Sequence, residues 1–97
     1  MDMLINGIIW LSDIIDKLEK KHAVTPNEVE NIFSDLPVFR RIERGKVKGE
    51  HVYRALGRTD SGRYLVVFFI YKRTHEALVI SARDMTEKER RIYAKSK

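Results

Sequence analysis

At 97 residues the chain has the length of a single domain, 1–97, that can bury a modest core without covalent staples. It contains no cysteine, which excludes disulfides, thiolate nucleophiles and cysteine-based zinc sites; its three histidines have neither metal-site spacing nor an acidic cluster beside them, so neither a metal nor another cofactor is expected. The formal net charge of +5 suits a polyanion or an acidic protein as partner, and equally a solvated surface with none.

Met1-Asp2-Met3-Leu4 carries no basic leader pattern, and no apolar run approaches the ~20 residues of a membrane span, so the cytoplasm is the expected location. Asn6 to Trp10 reads as a short first strand. Ser12 is a suitable N-cap for a helix running to His22, with Ile14, Leu18 and His22 on one stripe and Leu11 and Ile15 beside it. Thr25-Pro26-Asn27-Glu28 is a capping box with proline at the first helical position. Val29, Ile32, Phe33 and Leu36 form the apolar face of the helix it opens, and Pro37 ends that helix.

After Pro37 the periodicity changes from helical to alternating. Val38 to Arg44 is the least marked strand, and residues 45–49 read as a basic turn. His51 to Gly57 follows, then a turn at Asp60-Ser61-Gly62. Tyr64 to Tyr71 is apolar on both parities, the pattern of a central strand covered on both faces. Ala77 to Arg83 should place Leu78, Ile80 and Ala82 on one face and Val79, Ser81 and Arg83 on the other. Thr86-Glu87-Lys88-Glu89 is a second capping box, opening a charged, weakly amphipathic last helix. Helices segregated from a hairpin-linked sheet make the class α+β: two N-terminal helices packed on a three- to four-stranded antiparallel sheet, with a C-terminal helix.

The run from Val79 to Tyr93, an apolar pair, Ser-Ala-Arg, a short link, Thr86 and a charged helix with Glu89-Arg90 and Tyr93, resembles the end of the BrnT family of ribonuclease toxins. Lys21-His22, Gly49-Glu50, Gly57, Gly62-Arg63 and Trp10 also fall where that family has their like. Val52 and Leu78 stand where the family usually carries arginine, and Ala23 where it usually carries glycine. The resemblance implies a RelE-like fold and the toxin of a type II toxin-antitoxin system, a metal-independent endoribonuclease that inhibits translation and growth. It also implies a cognate antitoxin that binds DNA, the ribbon-helix-helix form being one option, with operator DNA reached only through the complex. The alternative is a non-catalytic nucleic-acid- or protein-binding domain of the same fold.

Metal-free RNA cleavage uses the substrate's 2′-hydroxyl as nucleophile. It needs a base near that hydroxyl, cations on the pentavalent phosphate and an acid near the leaving 5′-oxygen. Arg83, at the end of an apolar strand, offers a forked phosphate donor, or else an ion pair with Asp84 or Glu87. His22 ends the stripe of the first helix, as an acid or base near neutrality or as a helix-end cation. Glu50 is a candidate base or an orienter of arginine, and Arg54 a candidate phosphate ligand. Tyr93 is a candidate acid or stacking group, or packing for the last helix. Lys21, Lys46, Lys48, Arg58, Arg90 and Arg91 are candidate RNA-backbone contacts, or solvated surface charge.

Overall fold

A computed structural model describes residues 3–43 and 50–96. The elements run β1 (Gly7–Ile9), α1 (Ser12–His22), α2 (Pro26–Ser34), β2 (Val38–Glu43), β3 (Val52–Arg58), β4 (Tyr64–Tyr71), β5 (Glu76–Asp84) and α3 (Glu87–Lys95). The class is α+β as expected, but the sheet has five strands in the order β1-β5-β4-β3-β2, and it is mixed rather than antiparallel. β2 to β5 pair antiparallel with sequential neighbours, whereas β1 pairs parallel with β5. Two helices separate β1 from β2, and that crossover lets β1 join the free edge of β5 in the parallel sense. With only three residues, β1 is too short to display a pairing sense in its sequence.

β4 occupies the centre, and its two parities feed two cores. Leu65, Val67 and Phe69 meet Leu18 of α1, Val29 and Ile32 of α2, and Ala55, Val79 and Ala82 of the neighbouring strands. Val66 lies on the opposite face with Val38, Leu56 and Met85, against which Ile92 and Tyr93 of α3 pack. α1 lies on β5, and α2 on β3 and β4. Gly57 permits that second contact, because a Cβ there would stand 3.0 Å from Cγ2 of Ile32.

Both capping boxes form: the Thr25 side chain accepts from the Glu28 amide and the Thr86 side chain from the Glu89 amide, each glutamate reaching back to its cap. Ser12 is the first helical residue rather than the cap. Leu11 precedes it in extended geometry with no side-chain cap, and its carbonyl accepts from the Ile14 and Ile15 amides. Leu36 leaves the face assigned to it, since α2 ends at Ser34; Leu36 is 81% exposed at φ 47°.

The assignment of faces on β5 is overturned by a β-bulge. Phe68 opposes Ser81 and Phe69 opposes Val79, leaving Ile80 as the extra residue. The parity therefore changes within the strand. Val79 and Ala82 share the helix-side core, while Leu78, Ser81 and Arg83 share the face of α3.

Candidate functional site

The α3 face of the sheet is organised in rows by strand register. One row is Val38, Leu56, Val66 and Arg83; the next is Arg40, Arg54, Phe68 and Ser81; the third contains Val52, Ile70 and Leu78. Arg54 and Arg83 thus come from β3 and β5 on either side of Phe68 and Val66. The guanidinium of Arg83 lies over the Phe68 ring, 5.2 Å from its centre.

Glu89 joins the two arginines. Its carboxylate accepts from Arg83 Nη1 at 2.7 Å and Nη2 at 3.0 Å, and forms an ion pair with Arg54 Nη1 at 3.5 Å. The Thr86 amide donates to it at 2.8 Å, so the capping box that starts α3 also aims the carboxylate at the sheet. Its side chain is only 7% exposed, against 34% for Arg83 and 26% for Arg54. The anion is buried, and the cations keep about a quarter to a third of their side-chain surface in solvent.

The Arg83 hydrogen bonds outweigh the desolvation of Glu89, and with the Thr86 amide they hold its pKa down to about 2. The same pairing raises the pKa of Arg83. Arg40 lies in the row of Arg54 at the sheet edge, tied to Ser96 Oγ at 2.8 Å.

A second cationic group borders α3 at the far end of the same face. Arg90 lies 4.1 Å and Arg58 5.2 Å from the centre of the Tyr64 ring, and Tyr93 meets that ring edge-on at 6.0 Å. Tyr64, Arg90, Arg91, Tyr93, Glu87 and Ala94 line an open groove of ≈ 590 Å³. Arg91 pairs loosely with Glu87 at 3.9 Å, both well exposed.

The other candidates are dispersed. His22 ends α1 on the opposite side of the sheet, where its carbonyl accepts from Arg63 Nη2 at 2.8 Å. Exposed Lys21 precedes it. Glu50 stands four residues before Arg54, roughly 13 Å along an extended chain. Lys72 Nζ holds it at 2.8 Å and the Arg73 amide donates to it, and the Lys72 hydrogen bond lowers its pKa. Lys46 and Lys48 lie outside the described residues. Arg83, Arg54 and Tyr93 therefore share a face, and His22 and Glu50 do not reach the arginine pair. The ion-pair partner of Arg83 is Glu89, in place of Asp84 or Glu87.

Sequence reasoning missed Glu89 as more than a cap. The available signal was a capping-box glutamate six residues after a strand-end arginine, close enough for the folded-back carboxylate to meet it. It also missed Arg63, whose guanidinium binds the carbonyls of His22 and Ala23 at the end of α1 together with Glu28 and Asp84. That set ties α1, α2 and β5 together. The Arg63 hydrogen bond is also the leading cause that lowers the Asp84 pKa.

Among the described residues no group of three or more His, Asp or Glu side chains could hold a metal ion, and no helix is long and apolar enough to cross a membrane. Comparison with curated proteins returns no match. The family model of the ribonuclease toxin BrnT, of type II toxin-antitoxin systems, matches residues 10–89, a span that holds Arg54, Arg83 and Glu89. With most of its length matched and the strand, cap and helix of the motif joined at one site, the chain belongs to the BrnT family of ribonuclease toxins.

Proposed function

We propose that the chain cleaves RNA without a metal, in a RelE-like fold, and that Arg83 and Arg54 are the groups that stabilise the transition state. The observation that carries this reading is the pair of partly exposed arginines held together by buried Glu89. A guanidinium held in this way needs little reorganisation when charge builds on a phosphate. The substrate's 2′-hydroxyl attacks phosphorus and the 5′-oxygen leaves. The arginines meet the doubly charged phosphorane through N–H groups not engaged by Glu89, and proton transfer falls to solvent. Arg58, Arg90 and Arg91 contact the RNA backbone, with Tyr93 beside them at the Tyr64 ring, and Lys21 contacts a more distant stretch of the RNA strand across the sheet. Cleavage in the cytoplasm inhibits translation, and the cognate antitoxin is a DNA-binding protein that carries the toxin to its operator.

One observation favours a second reading, RNA binding without cleavage. His22 ends α1 across the sheet and Lys72 holds Glu50, so of the candidate acids and bases only Tyr93 shares the face of the arginine pair. Induction in bacteria separates the two. Cleavage predicts growth arrest with fragmented cellular RNA, lost in both Arg83→Ala and Arg54→Ala. Growth arrest with intact RNA selects binding alone.

A further inference from the structure

α3 covers only part of the face that carries the arginines. It packs through Ile92 and Tyr93 on the core of Val38, Leu56, Val66 and Met85. The row beyond Arg54 consists of Val52, Ile70 and Leu78, in register across three adjacent strands. All three are half-buried, and among the described residues none belongs to either hydrophobic cluster. An aliphatic row offers no ring for a base and no donor for a phosphate, so RNA gains little from it.

The borders of the row are cationic, and carboxylates already sit on them. Arg54 and Arg83 hold Glu89 on one side. Lys72 holds Glu50 on the other. This combination of an apolar strip and guanidiniums suits an acidic, amphipathic segment of protein.

We propose that the Val52–Ile70–Leu78 strip is the docking surface for the cognate antitoxin. The occupant is a segment with an apolar ridge flanked by Asp or Glu, the ridge on the strip and the carboxylates on the outer N–H groups of Arg54 and Arg83. Docking there covers both guanidiniums, so one contact both holds and silences the toxin. The silencing rests on the catalytic reading of those arginines, whereas the docking itself requires only the antitoxin that family membership supplies.

The test measures affinity of the purified antitoxin for wild-type toxin, for Leu78→Glu and for the double variant Val52→Thr/Leu78→Thr. The double variant places β-branched residues, which suit strands, at both positions and decides the matter if Leu78→Glu fails to fold. The expected result is binding weakened by about 30-fold or more, the scale of a truncated interface hot spot. RNA cleavage by the variants alone should be retained, and co-expressed antitoxin should no longer relieve growth arrest. Wild-type affinity in the folded variants overturns the proposal. So does lost RNA cleavage with affinity intact, which would make the strip part of the RNA site. If the wild-type chain cleaves no RNA, the affinity measurement still reads the docking surface alone.

Discussion

At the scale of single residues, Glu89 has the most consequential environment. A carboxylate buried against two arginines is favoured as the anion, and its pKa of about 2 expresses that. The linkage follows in sign: the folded value lies below the ordinary 4.5, so the stability it contributes is complete above that range. That contribution disappears as pH falls from about 4.5 to about 2. Glu89→Gln should therefore flatten the fall in Tm across this acid window while lowering stability near neutrality by about 1–3 kcal/mol. Thermal melts of both proteins from pH 2 to pH 7 check this, and parallel pH profiles would show that Glu89 is not held by Arg83.

At the scale of elements, strand and helix periodicity located every segment to within a residue or two, and both capping boxes appear as the sequence spells them. β4 is central because its two parities are equally apolar, a property visible in Tyr64 to Tyr71 alone. The faces of β5 were not legible, because a bulge at Ile80 reverses parity and no residue type marks it. The grouping of the site was likewise only half legible. Alternation places Arg54 on a face, but which neighbour meets it depends on register, and register joins it to Arg83 while stranding Glu50. The position of His22 was not legible either: a helix end shows which stripe a residue occupies, not which side of the sheet the helix covers.

The end of α1 gives a test at the same scale. Ala23 is the C-cap, in the left-handed region at φ 51° and ψ 41°, a conformation that disfavours a Cβ. It stands where the resemblance leads one to expect glycine. Ala23→Gly should raise stability by about 0.5–1 kcal/mol, because relief of the left-handed strain exceeds the added freedom of the unfolded chain. Denaturant titration measures it. A destabilised variant would show that the cap is not strained.

At the scale of the whole molecule, four arginines frame α3. Arg54 and Arg83 lie on one side of α3 and Arg58 and Arg90 on the other, all partly or fully exposed. An RNA strand contacting three or four of these cations should show a log–log salt slope of about −2 to −3. Arg58→Ala/Arg90→Ala should reduce that slope by about 1.4 and raise KM with little change in kcat. Binding to a labelled single-stranded RNA across a salt series provides the measurement, and a slope near zero would remove the electrostatic basis for recognition.

The claim that two braced arginines cleave RNA without a metal is tested most directly by one assay: cleavage of a labelled RNA in EDTA by purified wild-type protein and by Arg83→Ala, with circular dichroism as the folding control. The predicted result is full wild-type activity in EDTA and a folded Arg83→Ala slower by about 100- to 1000-fold, the scale of losing one preorganised donor to a developing oxyanion. Undiminished cleavage by Arg83→Ala, or wild-type cleavage that requires added magnesium, would contradict it.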